Sequence, residues 1–314
     1  MITTVQSEMP LDGVTVFAVH AHPDDEAIWT GGLLAHLARR GADVIVVTCT
    51  LGEQGEVIGE PYQNLVAEHS DQLGGFRIRE LQDSLAALGV RGIHLGAPGQ
   101  WRDSGMAGDP SAAHPRALVN NLDQATEQLR ELIAEYDPEL LITYGPDGGY
   151  GHPDHIAAHT ITHRAAPEHI RILWAVTLEE DLEAGFAGIR SIPQTWHRAD
   201  AEIARVEHAD IRLALSPAEQ AQKVAAMRAH ATQIWIADGS VSATNPVPAQ
   251  AEADTPVFAL SNLIAQPVTA SESYQIGAGP QLPREATDVF DEVCEIYELG
   301  EDELARLPHC GKED

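Results

Sequence analysis

Uninterrupted apolar runs alternate with helix-patterned stretches over the first half of this chain, and no other feature restricts the fold as much. Residues 14–20 (VTVFAVH), 43–50 (DVIVVTCT) and 139–145 (ELLITYG) are continuously apolar and rich in β-branched side chains. Such runs suit strands buried on both faces, the condition of a parallel sheet. Helical stretches near 27–40, 65–89 and 117–136 fall between them, with a short strand near 91–96. Gly41 suits the C′ position of the first, Gly74-Gly75 are expected to break or kink the second, and Asp137-Pro138 ends the third. Strand alternating with helix implies right-handed crossovers and an α/β fold: a mostly parallel sheet with helices on both faces.

The second half is less regular. Residues 171–178 and 209–215 read as strands, and Ser216-Pro217-Ala218-Glu219 is a capping box with Pro at N1, opening a helix to about residue 231. Residues 238–256 read as a loop or linker, 285–299 as a helix, and the tail after Pro308 as frayed. The expected organisation is a catalytic core over 1–170 carrying both motifs described next. A smaller C-terminal α/β portion over 171–314 would pack on it and complete the substrate pocket.

Two motifs concentrate the chemistry. His22-Pro23-Asp24-Asp25-Glu26 follows the first strand, and Tyr150-Gly151-His152-Pro153-Asp154-His155 follows the strand at 139–145. Ligands of open α/β sheets sit beyond the carboxyl ends of the strands, so both motifs are expected on one rim. Two imidazoles and a carboxylate are what a catalytic divalent ion takes from a protein while leaving a position open for water. Adjacent carboxylates such as Asp24 and Asp25 repel unless a cation or strong donors lie beside them. They also point apart in a turn, so one can bind metal while the other faces substrate as a base. The plainer account is an acidic helix start favoured by the macrodipole; a His at the same rim argues for metal instead. His155, His159 and His163 recur every four residues and could form a zinc-binding helix face, although His159 and His163 are expected to face solvent or core. The same ligand types form the facial triad of non-haem iron oxygenases, which the strand–helix alternation disfavours.

Glu53-Gln54-Gly55-Glu56 and the loop Trp101-Arg102-Asp103-Ser104-Gly105-Met106 also follow strands, and Arg77 lies in a helix beside Phe76. Read without further context these are structural or solvated, and His230 is a cap-region cation. Ser104 and Cys49 lack a nucleophile context, and no Gly-x-Gly-x-x-Gly follows the first strand, which speaks against a dinucleotide. The 48 acidic and 19 basic residues leave a net charge of -29. That balance argues against nucleic acid and an anionic membrane surface, and for a neutral or cationic small molecule. Without an apolar run near 18 residues or a basic-then-apolar leader, a soluble, cytoplasmic protein is expected. Cys49, Cys294 and Cys310 are too few and scattered for a disulfide framework or a Cys-type zinc site, and Cys49 reads as a core residue.

Ala21-His22-Pro23-Asp24-Asp25-Glu26 together with His152-Pro153-Asp154-His155 resembles the N-acetylglucosaminyl-phosphatidylinositol de-N-acetylase (LmbE-like) family. VVTCTLGEQGEVIGE, DQLGGFRI, WRDSGMAG, GGYGHPDH and AHATQ extend the resemblance, which is dense over 14–165 and returns at 216–233. It implies a Rossmann-like fold and zinc-dependent amide hydrolysis of a neutral amino-sugar–inositol. It further implies that His22, Asp25 and His155 hold one Zn²⁺ (or Fe²⁺) per chain. Asp24 would be general base, His152 general acid oriented by Asp154, and Tyr150 an oxyanion donor. Arg77, Asp103, Glu56 and Met106 would contact substrate. A sister amidase taking a larger acyl group would share these parts. Ala27-Ile28-Trp29 is bulkier than the family pattern, so Trp29 is expected to influence acyl or substrate preference if it reaches the pocket.

Overall fold

The computed structural model describes residues 2–291. Its central sheet has eight strands: β1 (Thr3–Val5), β2 (Thr15–His20), β3 (Asp43–Thr48), β4 (Arg91–His94), β5 (Leu140–Tyr144), β6 (Arg171–Val176), Ile211–Ala214 and Ser271–Ala278. Across the sheet they run β4-β3-β2-β5-β6, then Ser271–Ala278, Ile211–Ala214 and β1. Ser271–Ala278 is antiparallel to both its neighbours, whereas the other pairs are parallel.

Side-chain alternation explains why these strands are apolar throughout. Val16, Ala18, Val44, Val46 and Ile142 face one core, formed with helices α2 (Gly31–Arg39), α3 (Leu73–Leu88) and α7 (Pro217–Ala229). Phe17, Val19, Ile45, Val47 and Leu141 face the other, formed with α4 (Leu122–Tyr136) and α5 (Pro153–Ala165). Period-two alternation thus finds a hydrophobic layer on each side, and neither face requires polar residues. Fully burying each such large apolar side chain contributes roughly 1.5–3 kcal/mol.

The helix expected over 27–40 is two, α1 (Asp25–Trp29) and α2, separated at Thr30 with φ −132°. The second can start afresh because Glu272 accepts from the N–H groups of Gly32 (2.7 Å) and Leu33 (2.8 Å). Gly41 follows with φ +98°, a conformation that favours glycine. α3 begins only at Leu73, after a 3₁₀ turn at Glu60–Leu65, and Gly74-Gly75 lie unkinked in its first turn. A Cβ on Gly74 would come within 2.7 Å of Glu53 Cγ, so close packing rather than helix breaking accounts for glycine there. α4 starts at Leu122, five residues later than the pattern suggests, after the 3₁₀ turn Leu118–Asn120.

β6 pairs with β5, so the chain beyond residue 170 extends the same sheet. α6 (Glu179–Ala187) and the short strands Trp235–Ile236, Val257–Ala259 and Gln266–Pro267 complete this half. The segment 238–256 is mostly loop, but Glu252–Ala253 pairs with Ile189–Ser191. The helix expected at 285–299 is absent from 285–291, which form turns; residues 292–299, Cys294, Cys310 and the tail after Pro308 lie outside the described residues. No helix among the described residues is long and apolar enough to cross a membrane.

One topological consequence places the site. The chain winds outward from β2 to β3 and β4, then returns to β5 on the other side of β2. Connections leave the adjacent strands β2 and β5 in opposite directions, opening a crevice at their carboxyl ends.

Candidate active site

Both motifs meet in that crevice. His22 and Asp25 come from the turn after β2, and His155 from the first turn of α5 beyond β5. His155 Nε2 is 3.3 Å from His22 Nδ1 and 3.4 Å from Asp25 Oδ1, and His22 Nδ1 is 3.5 Å from Asp25 Oδ2. Donors bound tetrahedrally to one ion at about 2.0–2.1 Å lie about 3.3 Å apart, which the separations of His155 Nε2 from His22 Nδ1 and from Asp25 Oδ1 match, while Asp25 meets His22 through its other oxygen.

Partners further out aim them. The His155 Nδ1–H donates to Gly148 O at 3.1 Å, which leaves the Nε2 lone pair facing the site. A side chain on Gly148, with φ +68°, would collide with His155 Cβ at 2.7 Å. The other His22 nitrogen, Nε2, faces Asp154 Oδ2 at 3.4 Å and Asp103 Oδ1 at 3.7 Å. Burial opposes charge on His22, but Asp103, Asp154 and Asp25 outweigh it and raise its pKa well above the usual imidazole value. These carboxylates build a site that favours a cation. His152 also comes within 4.8 Å of His22 and His155, and His22, Asp103 and Asp154 form a second such group.

Asp24 occupies a left-handed conformation, φ +117°, uncommon for a residue with a side chain and worth about 1–3 kcal/mol of strain. Its backbone N–H donates to Glu26 Oε2 at 3.0 Å, and its carboxylate pairs with Arg77 at 3.1 Å. Burial pushes its pKa up to about 7, with Arg77 opposing and Asp25 adding. A carboxylate poised there suits a general base. His152 caps α5, its Nδ1 accepting from the Asp154 N–H at 3.1 Å. In the neutral ring the proton therefore sits on Nε2. Burial, with His22 and His155 adding to it, pushes its pKa down to about 3. The neutral ring is thus the resting form, and it is already a donor.

Other expected residues are distributed differently from their assigned roles. The Asp154 carboxylate turns to His22 and the Ser104 N–H (2.8 Å), not to His152; as N-cap, His152 meets the Asp154 backbone instead. Arg77 is spent on Asp24 and on the carbonyls of Gly52 (2.9 Å) and Pro23. Asp103 is buried, accepting from the N–H groups of Gly105 (2.8 Å) and Gln54 (3.1 Å). Tyr150 is 48% exposed with its hydroxyl 3.5 Å from His155 Nε2, and Met106 is 52% exposed. Both line, with exposed Glu56, a cavity of about 940 Å³ whose far wall includes Leu260 and Gln266 of the C-terminal half. Trp29 lines it too, with ring atoms 2.9 Å from where a Gly149 Cβ would lie. His163 Nε2 accepts from Trp174 and His159 lies against Tyr144 O, so neither joins the site.

Two residues escaped the sequence reading as site components. Glu26 is fully buried behind Asp24, accepting from His230 Nε2 (2.6 Å) and Ser84 (2.5 Å). His230 is thus a buried partner of the motif turn rather than a helix-end cation. The AHATQ segment that holds it was the available signal, and nearby Thr232 donates to Glu80 (2.6 Å).

A mostly parallel α/β sheet with His and Asp side chains gathered at its switch point defines an α/β protein with a candidate metal site. The family model PIG-L, GlcNAc-PI de-N-acetylase, matches residues 17–166. A 1D-myo-inositol 2-acetamido-2-deoxy-α-D-glucopyranoside deacetylase of Corynebacterium glutamicum is 62% identical over 284 residues, covering 90% of this chain and 97% of that protein. The deacetylase of that name from Mycolicibacterium smegmatis is 45% identical, covering 85% and 91%. This chain belongs to the PIG-L (LmbE-like) de-N-acetylase family. A solved deacetylase of the teicoplanin biosynthesis pathway aligns with TM-score 0.48 at 22% identity, covering 70% of this chain and 84% of that one.

Proposed function

We propose that this chain is a cytoplasmic deacetylase of mycothiol biosynthesis. It hydrolyses the acetamide of 1D-myo-inositol 2-acetamido-2-deoxy-α-D-glucopyranoside to acetate and the free glucosaminyl-inositol amine. The observation that carries the reading is the 62% identity to a deacetylase of that name along 97% of its length, joined to a pocket holding the parts amide hydrolysis needs. An amide is a weak electrophile with a poor leaving group. Cleaving it takes an activated water, a polarised carbonyl and a proton for the departing nitrogen.

His22, Asp25 and His155 are assigned as the ligands, because His155 Nε2 lies 3.3 Å from His22 Nδ1 and 3.4 Å from Asp25 Oδ1, and Asp25 brings the neutralising charge. One Zn²⁺ or Fe²⁺ held there supplies Lewis-acid polarisation of the carbonyl and makes an adjacent water more acidic. Asp24 accepts the proton from the attacking water, and Arg77 and the Glu26–Asp24 backbone contact hold its carboxylate in place. His152 presents Nε2–H to the leaving nitrogen. Because its resting form is neutral, it acts as a hydrogen-bond donor that orients the leaving nitrogen, and the proton this nitrogen takes up is the one Asp24 removed from the water. Tyr150, half exposed at the rim, donates to the developing oxyanion, an interaction worth about 3 kcal/mol when well placed. Asp103 and Asp154 act through His22 by holding its far nitrogen. Glu56 and Met106 contact the sugar–inositol at the mouth, where hydroxyl groups are matched without a cationic patch.

Incubating the purified protein with this substrate and with glucosamine acetamide alone tests the reading. Mass spectrometry should find equimolar acetate and amine from the first and slower turnover of the second. No acetate from the first, with cleavage of a bulky thiol-conjugated acyl amide instead, would make it the sister amidase.

A further inference from the structure

Beneath the site, one fully buried side chain joins the two ligand-bearing turns. Tyr144 ends β5, has no exposure, and belongs to neither motif. Its ring stacks on His155 with centroids 4.1 Å apart and planes within 20°. Its hydroxyl accepts from the N–H of Ala21, the residue before His22, at 2.9 Å. The same hydroxyl is 3.2 Å from His20 Nδ1, and His20 Nε2 is 2.9 Å from Thr30 Oγ1, which in turn donates to Glu26 O at 3.1 Å.

The donors in this chain have one consistent order. Thr30 spends its proton on Glu26 O, so His20 Nε2–H donates to Thr30. In the neutral ring this leaves Nδ1 to accept from the Tyr144 hydroxyl, 3.2 Å away. The chain therefore runs from the β5 end, across the β2 end, to the Glu26 carbonyl in the first turn of α1.

We propose that Tyr144 is the positioning residue of the metal centre, setting the spacing of His22, Asp25 and His155 through its ring on one side and the Tyr144–His20–Thr30 hydrogen bonds on the other. Its ring blocks rotation of the His155 imidazole. Its hydroxyl ties Ala21 to β5, and the His20–Thr30 link anchors α1, whose first residue is Asp25. A Tyr in the middle of a core strand would normally be read as packing. Here the hydroxyl satisfies two polar groups that Phe could not.

The proposal rests on the ligand assignment above, and the test separates the two. Apo protein prepared with a chelator is titrated with Zn²⁺ against a chromophoric competitor, for wild type, Tyr144→Phe and Thr30→Val, with thermal unfolding of each apo form alongside. Tyr144→Phe keeps the stack and removes the hydroxyl; outer-shell partners of ligands typically change metal affinity 10–100-fold. The expected result is Zn²⁺ affinity weakened by about that factor in Tyr144→Phe and by a smaller factor in Thr30→Val, with stoichiometry still one. Wild-type protein that binds no Zn²⁺ would sink the ligand assignment itself. Wild type that binds while both variants bind within threefold would overturn the positioning role, even if their melting temperatures fall, because a merely structural Tyr lowers stability without moving affinity. Should Tyr144→Phe fail to fold, Thr30→Val, which leaves the ring and hydroxyl in place, decides alone.

Discussion

Arg77 separates two accounts that the family resemblance alone cannot distinguish. If it holds substrate, replacing it raises KM. If it acts through Asp24, as its 3.1 Å ion pair suggests, replacing it shifts the pH at which the base ionises. Unit charges about 4 Å apart interact by ~4 kcal/mol at an effective dielectric constant of ~20. Halving that for water penetration after substitution leaves ~2 kcal/mol, or about 1.5 pKa units. The Asp24 pKa, already pushed up to about 7, then moves further up. With Arg77→Met the ionised fraction of Asp24 at pH 7 falls roughly 15-fold, and the acidic limb of kcat/KM moves up by about 1.5 units. A bound cation lowers the limb in both proteins, so the difference between them is the observable. Arg77→Lys, which keeps the charge, should restore much of the limb position. Arg77 also donates to the Gly52 and Pro23 carbonyls, so the Met variant loses stability, and the profile must be recorded well below its melting temperature. An unmoved limb with a raised KM would show that Arg77 serves the substrate and not the base.

Removing divalent ions with a chelator should abolish acetate release, and adding Zn²⁺ or Fe²⁺ should restore it; full turnover by the stripped protein would refute the metal reading. His152→Ala should lower kcat by about 10²–10⁴ with KM little changed, and an unaltered kcat would remove its donor role. Trp29→Ala should raise the relative turnover of a longer N-acyl substrate by about 10–200-fold, the range for one methylene in a tight pocket; an unchanged ratio would place the acyl group elsewhere. Glu219 accepts from Ser216 N at the start of α7 and pairs with His36 and Arg39. Burial opposes its ionisation, but the Ser216 N–H and these partners outweigh it and take its pKa down to about 2 from 4.5. A lowered folded-state pKa adds stability above the unfolded value, lost as pH falls through the folded one. Glu219→Gln should therefore cost about 1 kcal/mol near pH 7, with the gap to wild type in urea unfolding shrinking between pH 4.5 and 2; a constant gap would show that charge is not what Glu219 contributes.

What could be read from the chain divides by the range of the interactions involved. β2, β3 and β5 were legible because both faces of each strand are buried in hydrocarbon, which writes an unbroken apolar run into adjacent residues. Ser271–Ala278 was not. Its buried Ser271, Glu272 and Ser273 look like loop residues until their partners are known, and Glu272 finds them at Gly32 and Leu33, some 240 positions away. The site divides in the same way. His22, Asp25 and His155 stood out because each motif is local and the strand ends bring them together. Glu26 and His230 did not, because their contact spans 204 positions and each alone resembles a helix-end charge. Asp154 shows a third case, in which short range misled. Two residues from His152, it seemed placed to orient that ring, yet an N-cap residue faces the backbone N–H of its second neighbour, which sends the Asp154 carboxylate to the opposite side. There it meets His22, 132 positions away. A motif thus identifies which residues do chemistry more securely than which of them work as partners, since partnership depends on the direction each side chain leaves the backbone and only the folded chain sets that direction.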